Sequence, residues 1–159
     1  MRHRLAGVAL SVALVATLTA CTPPDGDPAL IAQWREDRRA EIEPDSGVIA
    51  VLSSNASARQ ENDLMEASLD ESSLPTRITF DCFGDGSIAL QVESSAATGT
   101  GSATTTITTL GAFRCPDGPH EIDPASLGEA PISRVGAVTG NADRNTAWIL
   151  TVRGNVVSS

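Results

Sequence analysis

The sequence predicts a mainly β protein, an antiparallel β-sandwich of jelly-roll-like form preceded by one or two N-terminal helices. Three observations carry this. From Pro75 onward, apolar and polar residues alternate in a series of short runs, the period-two pattern of half-buried strands. Turn sequences such as Phe83-Gly-Asp-Gly86 and Pro116-Asp-Gly-Pro119 separate those runs. Helical spacing with a helix-start signal stands upstream of them, behind Asp27-Pro28.

In chain order, Thr22 to Asp27 reads as a short extended tether, because its prolines and glycine disfavour helix. Asp27-Pro28 then starts a helix, with aspartate as N-cap and proline at the first helical position, where its missing N–H costs nothing. Leu30, Ile31, Trp34 and Ile42 fall near one side of that helix, Arg38 interrupts the side, and Pro44 closes the helix. Residues 48–53 suit a strand or a short helix, and a second helix is expected over 57–69. The expected organisation is thus an N-terminal helical segment at 28–72 ahead of a β-domain at 75–159.

Within the β-domain, Arg77–Cys82 sets Ile78, Phe80 and Cys82 on one face. Ser87–Glu93 does the same with Ile88, Leu90 and Val92, and the Gly84-Asp-Gly86 turn between the two runs predicts a hairpin. Ser94 to Ser102 is small and polar and reads as a loop. Thr104–Leu110 is strand by propensity, with threonines on a solvated face. Ala112–Cys115 aligns Phe113 with Cys115, and His120–Ile122 and Ile132–Val138 are further strands. Thr146–Arg153 points Trp148, Leu150 and Val152 one way and Ala147, Ile149 and Thr151 the other. It is apolar on both sides, so it belongs at the centre of the sheet.

The N-terminus gives the protein's expected address. Arg2 and Arg4 precede an uncharged apolar run from Leu5 to Ala20, 16 residues long. That is shorter than the roughly 20 residues of a spanning helix and close to the hydrophobic region of a signal peptide. The run ends in Leu18-Thr19-Ala20-Cys21, which resembles the lipobox of bacterial lipoproteins. The resemblance implies a leader at 1–20, cleavage between Ala20 and Cys21, diacylglycerol on the Cys21 thiol and a further acyl chain, such as palmitate, on the new N-terminus. At about 0.8 kcal/mol per buried methylene, one chain binds marginally and two hold stably. The expected product is a domain on the extracytoplasmic face of the cell membrane, tethered through residues 21–27.

Charge excludes some partners. The chain has 11 Arg, no Lys and 20 Asp and Glu, a net charge of −9; loss of Arg2 and Arg4 with the leader makes it −11. An acidic surface of this kind argues against nucleic acid, where basic groups on phosphates dominate affinity. It argues equally against a polybasic grip on anionic lipid, which leaves the acyl anchor to do the holding.

Two cysteines remain after Cys21. In an oxidising compartment Cys82 and Cys115 suit a disulfide, which for a loop of that length adds roughly 3–4 kcal/mol on a chain-entropy estimate. Metal ligation or a reactive thiol are the other uses of such a pair, although His120 is the single nitrogen ligand in the mature chain and no CxxC is present. A strand ending in Cys82, the Gly84-Asp-Gly86 turn, a strand ending in Cys115 and the late Thr146-Ala-Trp148 strand together resemble a pattern in small actinobacterial lipoproteins of unknown function. That resemblance covers roughly 75–155. It implies the Cys82–Cys115 disulfide and the sandwich, and transfers no activity.

Chemistry is sparse. His120 lacks a Gly-x-Ser-x-Gly elbow or other nucleophile context to make it a catalytic base. Asp81 with Asp85, or Asn141, Asp143 and Asn145, could offer oxygens to calcium, but neither set completes an EF-hand and turn chemistry explains both. No catalytic residue, metal site or cofactor is expected. The expected function is a non-enzymatic binding module for an envelope protein or glycan. An accessory envelope lipoprotein docking on a membrane protein or transporter is the second reading, and a hydrolase built around His120 the third. Cys21→Ser is predicted to release the protein from the membrane fraction of its own cells; unchanged retention would refute the lipid anchor.

Overall fold

The computed structural model describes residues 26–57, 64–97, 102–140 and 142–157. The apolar run, the expected cleavage point Ala20–Cys21 and most of the tether lie outside the described residues. The elements are one helix, α1 (Pro28–Ile42), and seven strands: β1 (Val48–Ala56), β2 (Met65–Cys82), β3 (Ser87–Ala97), β4 (Ala103–Arg114), β5 (His120–Ile122), β6 (Ile132–Gly140) and β7 (Thr146–Val156). Short 3-10 turns at Cys115–Asp117 and Pro124–Leu127 flank β5.

The protein is mainly β and antiparallel, as the sequence predicts. All seven strands belong to one hydrogen-bonded sheet of order β1-β7-β2-β6-β3-β4, with β5 added on β2. The sheet is organised about β2. The first part of this strand pairs with β6 from Met65 to Ser73, and the second pairs with β7 from Ser73 to Cys82. Pro75 marks the change of partner. A register shift lies between Pro75 and Arg77, so proline's missing N–H falls where the ladder is already interrupted. Its partner across β7 is Gly154, where an added Cβ would come within 2.5 Å of the Leu74 carbonyl oxygen. The two backbones approach too closely there for any side chain.

One face of the sheet encloses the core. Ile78, Phe80 and Cys82 from β2, Ile88, Leu90 and Val92 from β3, and Trp148, Leu150 and Val152 from β7 are all at most 3% exposed. Ala50 and Leu52 of β1, Val135 and Ala137 of β6, and Leu127 from the second turn complete one cluster. Phe80 sits between Phe113 (ring centroids 5.1 Å apart) and Trp148 (6.2 Å), so few aromatics fill the centre. β7 is buried on its other face as well. Ala147 and Ile149 are at most 1% exposed beneath α1, which brings Ile31 onto that face. The strand is interior, paired with β1 and β2, but it lies next to the end of the sheet and not at its centre. Asp27 caps α1 by accepting from the Ala29 N–H at 2.9 Å, with Pro28 at the first position.

Three local expectations are corrected. The segment 28–72 is helical only over Pro28–Ile42, and 48–53 is strand. The helix expected over 57–69 is, over its described residues from Met65, the start of β2. There Met65, Ala67 and Leu69 are half-buried and Glu66, Ser68 and Asp70 exposed, a period-two alternation written in residues that favour helix. The hairpin expected across Gly84-Asp-Gly86 does not form either: β2 ends beside β7, and β3 pairs with β4 and β6. Gly84 does take positive φ, at 92°. The turn, however, is pulled apart by the Phe83 N–H donating to the Ala147 carbonyl (2.9 Å) and by Asp143, which accepts from the Ser87 N–H (2.8 Å). Finally, Ser94–Ala97 continue β3 instead of opening a loop.

Cys82 and Cys115 are joined, with sulfurs 2.08 Å and Cα atoms 4.9 Å apart, both side chains buried. The bond ties the end of β2 to the turn that follows β4. Replacing both cysteines by alanine is predicted to lower the unfolding free energy by roughly 3–4 kcal/mol, the loop-entropy share of a crosslink spanning 33 positions. Urea denaturation of the double variant checks this; a loss below about 1 kcal/mol would show that the crosslink constrains little.

Candidate functional site

The surface with most relief is the face carrying α1. Strand alternation sends Thr79 and Asp81 of β2, Ile149 and Thr151 of β7 and Val51 of β1 to the side opposite the core, and α1 lies across them. Two clefts flank the second half of the helix. The larger, about 530 Å³, runs between α1 and β1 and is lined by Arg39, Ile42, Glu43, Asp45, Val48 and Val51. The smaller, about 100 Å³, lies on the other side against Arg38, Glu41, Asp81 and Pro119. β1 is the terminal strand of the sheet and among the described residues is paired on one side only, with β7.

Polar contacts fix the helix over this face. Arg38 Nε lies 2.9 Å from Asp81 Oδ2, and its Nη1 is 2.7 Å from Glu41 Oε2 one turn on. The arginine that interrupts the apolar side of α1 is therefore the group that meets the one acidic side chain buried beneath it. Burial pushes the Asp81 carboxyl above the ordinary carboxylate range, against the opposing pull of Arg38 and the Cys82 backbone N–H. Hydrogen bonding to Glu41 outweighs partial burial at Arg38 and raises its guanidinium further. Next along, Arg39 Nη2 donates to Ser53 Oγ at 2.6 Å and so links helix to β1 across the floor of the larger cleft. At its far end Arg153 Nε donates to Asp45 Oδ2 at 2.7 Å; this bond, with the Gly47 N–H, holds the Asp45 carboxyl below the usual range.

The residues singled out from sequence do not converge. Asp81 faces the helix, whereas Asp85 stands exposed in the following turn, 3.5 Å from Arg144. Asp143 accepts from both the N–H and the hydroxyl of Ser87 (2.8 and 3.1 Å), a structural tie between the β6–β7 turn and β3. Asn141 lies outside the described residues. Among the described residues no group of three or more His, Cys, Asp or Glu side chains is placed to hold a metal ion. His120 packs on Phe113 with ring centroids 5.0 Å apart and the rings tilted by 51°, and its Nε2 donates to the Arg114 carbonyl oxygen at 2.9 Å. That nitrogen is engaged by the backbone.

A second polar group escaped the sequence reading. On the outer face of β2, β3 and β6, Glu66 and Glu93 hydrogen-bond to each other while Arg134 reaches Glu66 Oε1 (3.3 Å) and Ser95 Oγ (3.2 Å). Glu93 lies across Gly136, where an added Cβ would come within 2.6 Å of its Cγ. Partial burial, then the neighbouring Glu66, raise the Glu93 carboxyl above its ordinary value. The two carboxyls come from strands that no local pattern brings together. With Arg134 they form a self-contained network on an open face.

No known protein-family model matches the chain, and no curated protein sequence matches it.

The buried carboxyl gives a pH signature. Its value is raised, so Asp81 contributes most to folding below the ordinary carboxylate range, and that contribution is lost as pH rises through the raised value. Asp81→Asn abolishes the titration. Wild type is predicted to lose stability relative to the variant as pH rises from below the ordinary aspartate value of 3.8 through the raised one in denaturation series. The opposite trend, wild type gaining on the variant, would mean that attraction to Arg38 outweighs burial.

Proposed function

We propose that the chain is a lipid-anchored, extracytoplasmic interaction module without enzymatic activity, which takes an extended segment of an envelope protein along the groove between α1 and β1. The groove carries this reading. Its floor is apolar, with Ile42, Val48 and Val51; its rim bears charges of both signs, Arg39, Glu43 and Asp45; and it borders a terminal strand. An extended peptide added beside such an edge gains backbone hydrogen bonds, while the apolar floor takes alternate side chains. A glycan would be better served by open aromatic faces, and Trp34 and Phe83 instead pack on each other, ring centroids 5.8 Å apart.

The location rests on Leu18-Thr19-Ala20-Cys21 behind an apolar leader, and it is supported by the buried Cys82–Cys115 bond, which suits an oxidising compartment. The accessory reading, docking on a membrane protein or transporter through α1, has weaker support: Leu30 is 53% exposed, but Ile31 is buried. A hydrolase built on His120 is the third reading, with one ring nitrogen, Nε2, already engaged by the Arg114 carbonyl oxygen.

A photocrosslinking side chain at Val51, in intact cells, is predicted to trap a discrete protein partner that the same group at Thr109, on the outer face of β4, does not trap. Identical adducts from both positions, or none from Val51, would remove the groove from consideration.

A further inference from the structure

We infer that the end of the domain bearing Leu30, Phe83 and Gly84 docks on the bilayer surface, so that the protein stands on its membrane by an apolar foot as well as by its acyl chains. The inference rests on the lipid-anchored reading of Cys21.

Chain length is the first argument. Five residue steps separate Cys21 from Gly26, the first described residue, and a fully extended chain spans at most about 17 Å over that distance. The acyl chains fix Cys21 at the interface, so Gly26 cannot rise further than this from it. α1 begins at once, and its 15 residues carry the chain about 22 Å along the helix axis to the turn at 43–47. One end of the domain is therefore held at the membrane, and the groove between α1 and β1 opens toward the other.

The composition of the held end is the second argument. A cleft of about 410 Å³ opens there between the start of α1 and the turn after β2, with Gly26, Leu30, Phe83, Gly84, Arg144 and Thr146 in its wall. Leu30 is 53% exposed, the most exposed large apolar side chain of the helix, although it sits one residue from the buried Ile31. Phe83 is half-buried at the tip of the turn and leans on Trp34, which stands one helical turn above Leu30. An exposed leucine beside a phenylalanine, with a tryptophan just behind them, is the side-chain set that settles at the headgroup boundary.

Charge sets the character of the contact. Asp27 is engaged as the helix cap, and Asp85 is exposed beside Arg144. Neither favours an anionic surface, so the foot is apolar and shallow, and it engages zwitterionic lipid better than anionic lipid.

Trp34 reports on this contact directly, since Trp148 is fully buried and out of reach of lipid-borne quenchers. The lipidated full-length protein is reconstituted in phosphatidylcholine vesicles with and without brominated acyl chains, and flotation confirms that it is bound. Brominated lipid is expected to quench Trp34, less so when phosphatidylglycerol is added. Leu30→Asp and, separately, Phe83→Ser are expected to relieve the quenching while the protein still floats. Bound protein whose tryptophan emission is indifferent to bromination would overturn the foot and leave the anchor standing. A Cys21→Ser protein that floats as well as wild type would instead overturn the anchor, and the foot with it. Shielding of Trp34 in native membranes but not in protein-free vesicles would assign this end to a membrane protein and also overturn the proposal.

Discussion

The fold depends on one strand serving two neighbourhoods. β2 is 18 residues long, and neither of its halves makes sense alone. Its first half holds β6, and through it β3 and β4; its second holds β7, and through it β1, with β5 on the opposite edge. If the chain broke pairing at Pro75, two small sheets would result, each with an apolar face and too few side chains to cover it. Because β2 runs through, the residues of both halves share one core, and the bond from Cys82 to Cys115 closes it where β2 ends. A chain with only five aromatic residues builds a core in this way from branched aliphatics and a single group of tilted rings around Phe80.

β7 carries that economy further. Its inner face completes the core and its outer face seats α1, so every side chain from Thr146 to Val152 is buried. The helix is held by little apolar area, chiefly Ile31, and its placement is fixed by polar contacts: Arg38 to Asp81, Arg39 to Ser53, and Arg153 to Asp45 just beyond its end. Partly buried polar contacts of this kind add modest stability, because desolvation and solvent screening offset much of their attraction, and their further effect is to disfavour other arrangements. Here the alternative disfavoured is a helix slid along the sheet, which would close or fill the groove beside β1.

Much of this was legible in the sequence, and the remainder was hidden for identifiable reasons. Strands whose apolar residues are β-branched or aromatic, such as Ile78 and Phe80, or Trp148 to Val152, announce both their existence and their facing. Met65 to Asp70 alternates as cleanly, but in Met, Glu, Ala and Leu, whose helix preference masks the period, so tertiary pairing with β6 decided the outcome. The turn at Gly84 was readable and its partners were not, because nothing in four residues states whether the next strand folds back or crosses to another neighbour. The groove is of the same kind. Arg38 and Asp81 were each odd in their local pattern, a charge on an apolar helix side and an acid in an apolar strand. Only the packing of α1 over β2 shows that each explains the other. Glu66 and Glu93 gave no such sign, being ordinary outward residues until β6 brings their strands together.

The order in which the strands appear has a consequence of its own. The strand buried on both faces, β7, is the last of the seven described strands in the chain, and its partners β1 and β2 are the first two. A growing chain therefore cannot complete its core from the strands already made. The core waits for residues 146–156, and contacts of such long range also form slowly. A chain of this topology stays open until its final strand arrives, and its crosslink forms only on meeting an oxidant.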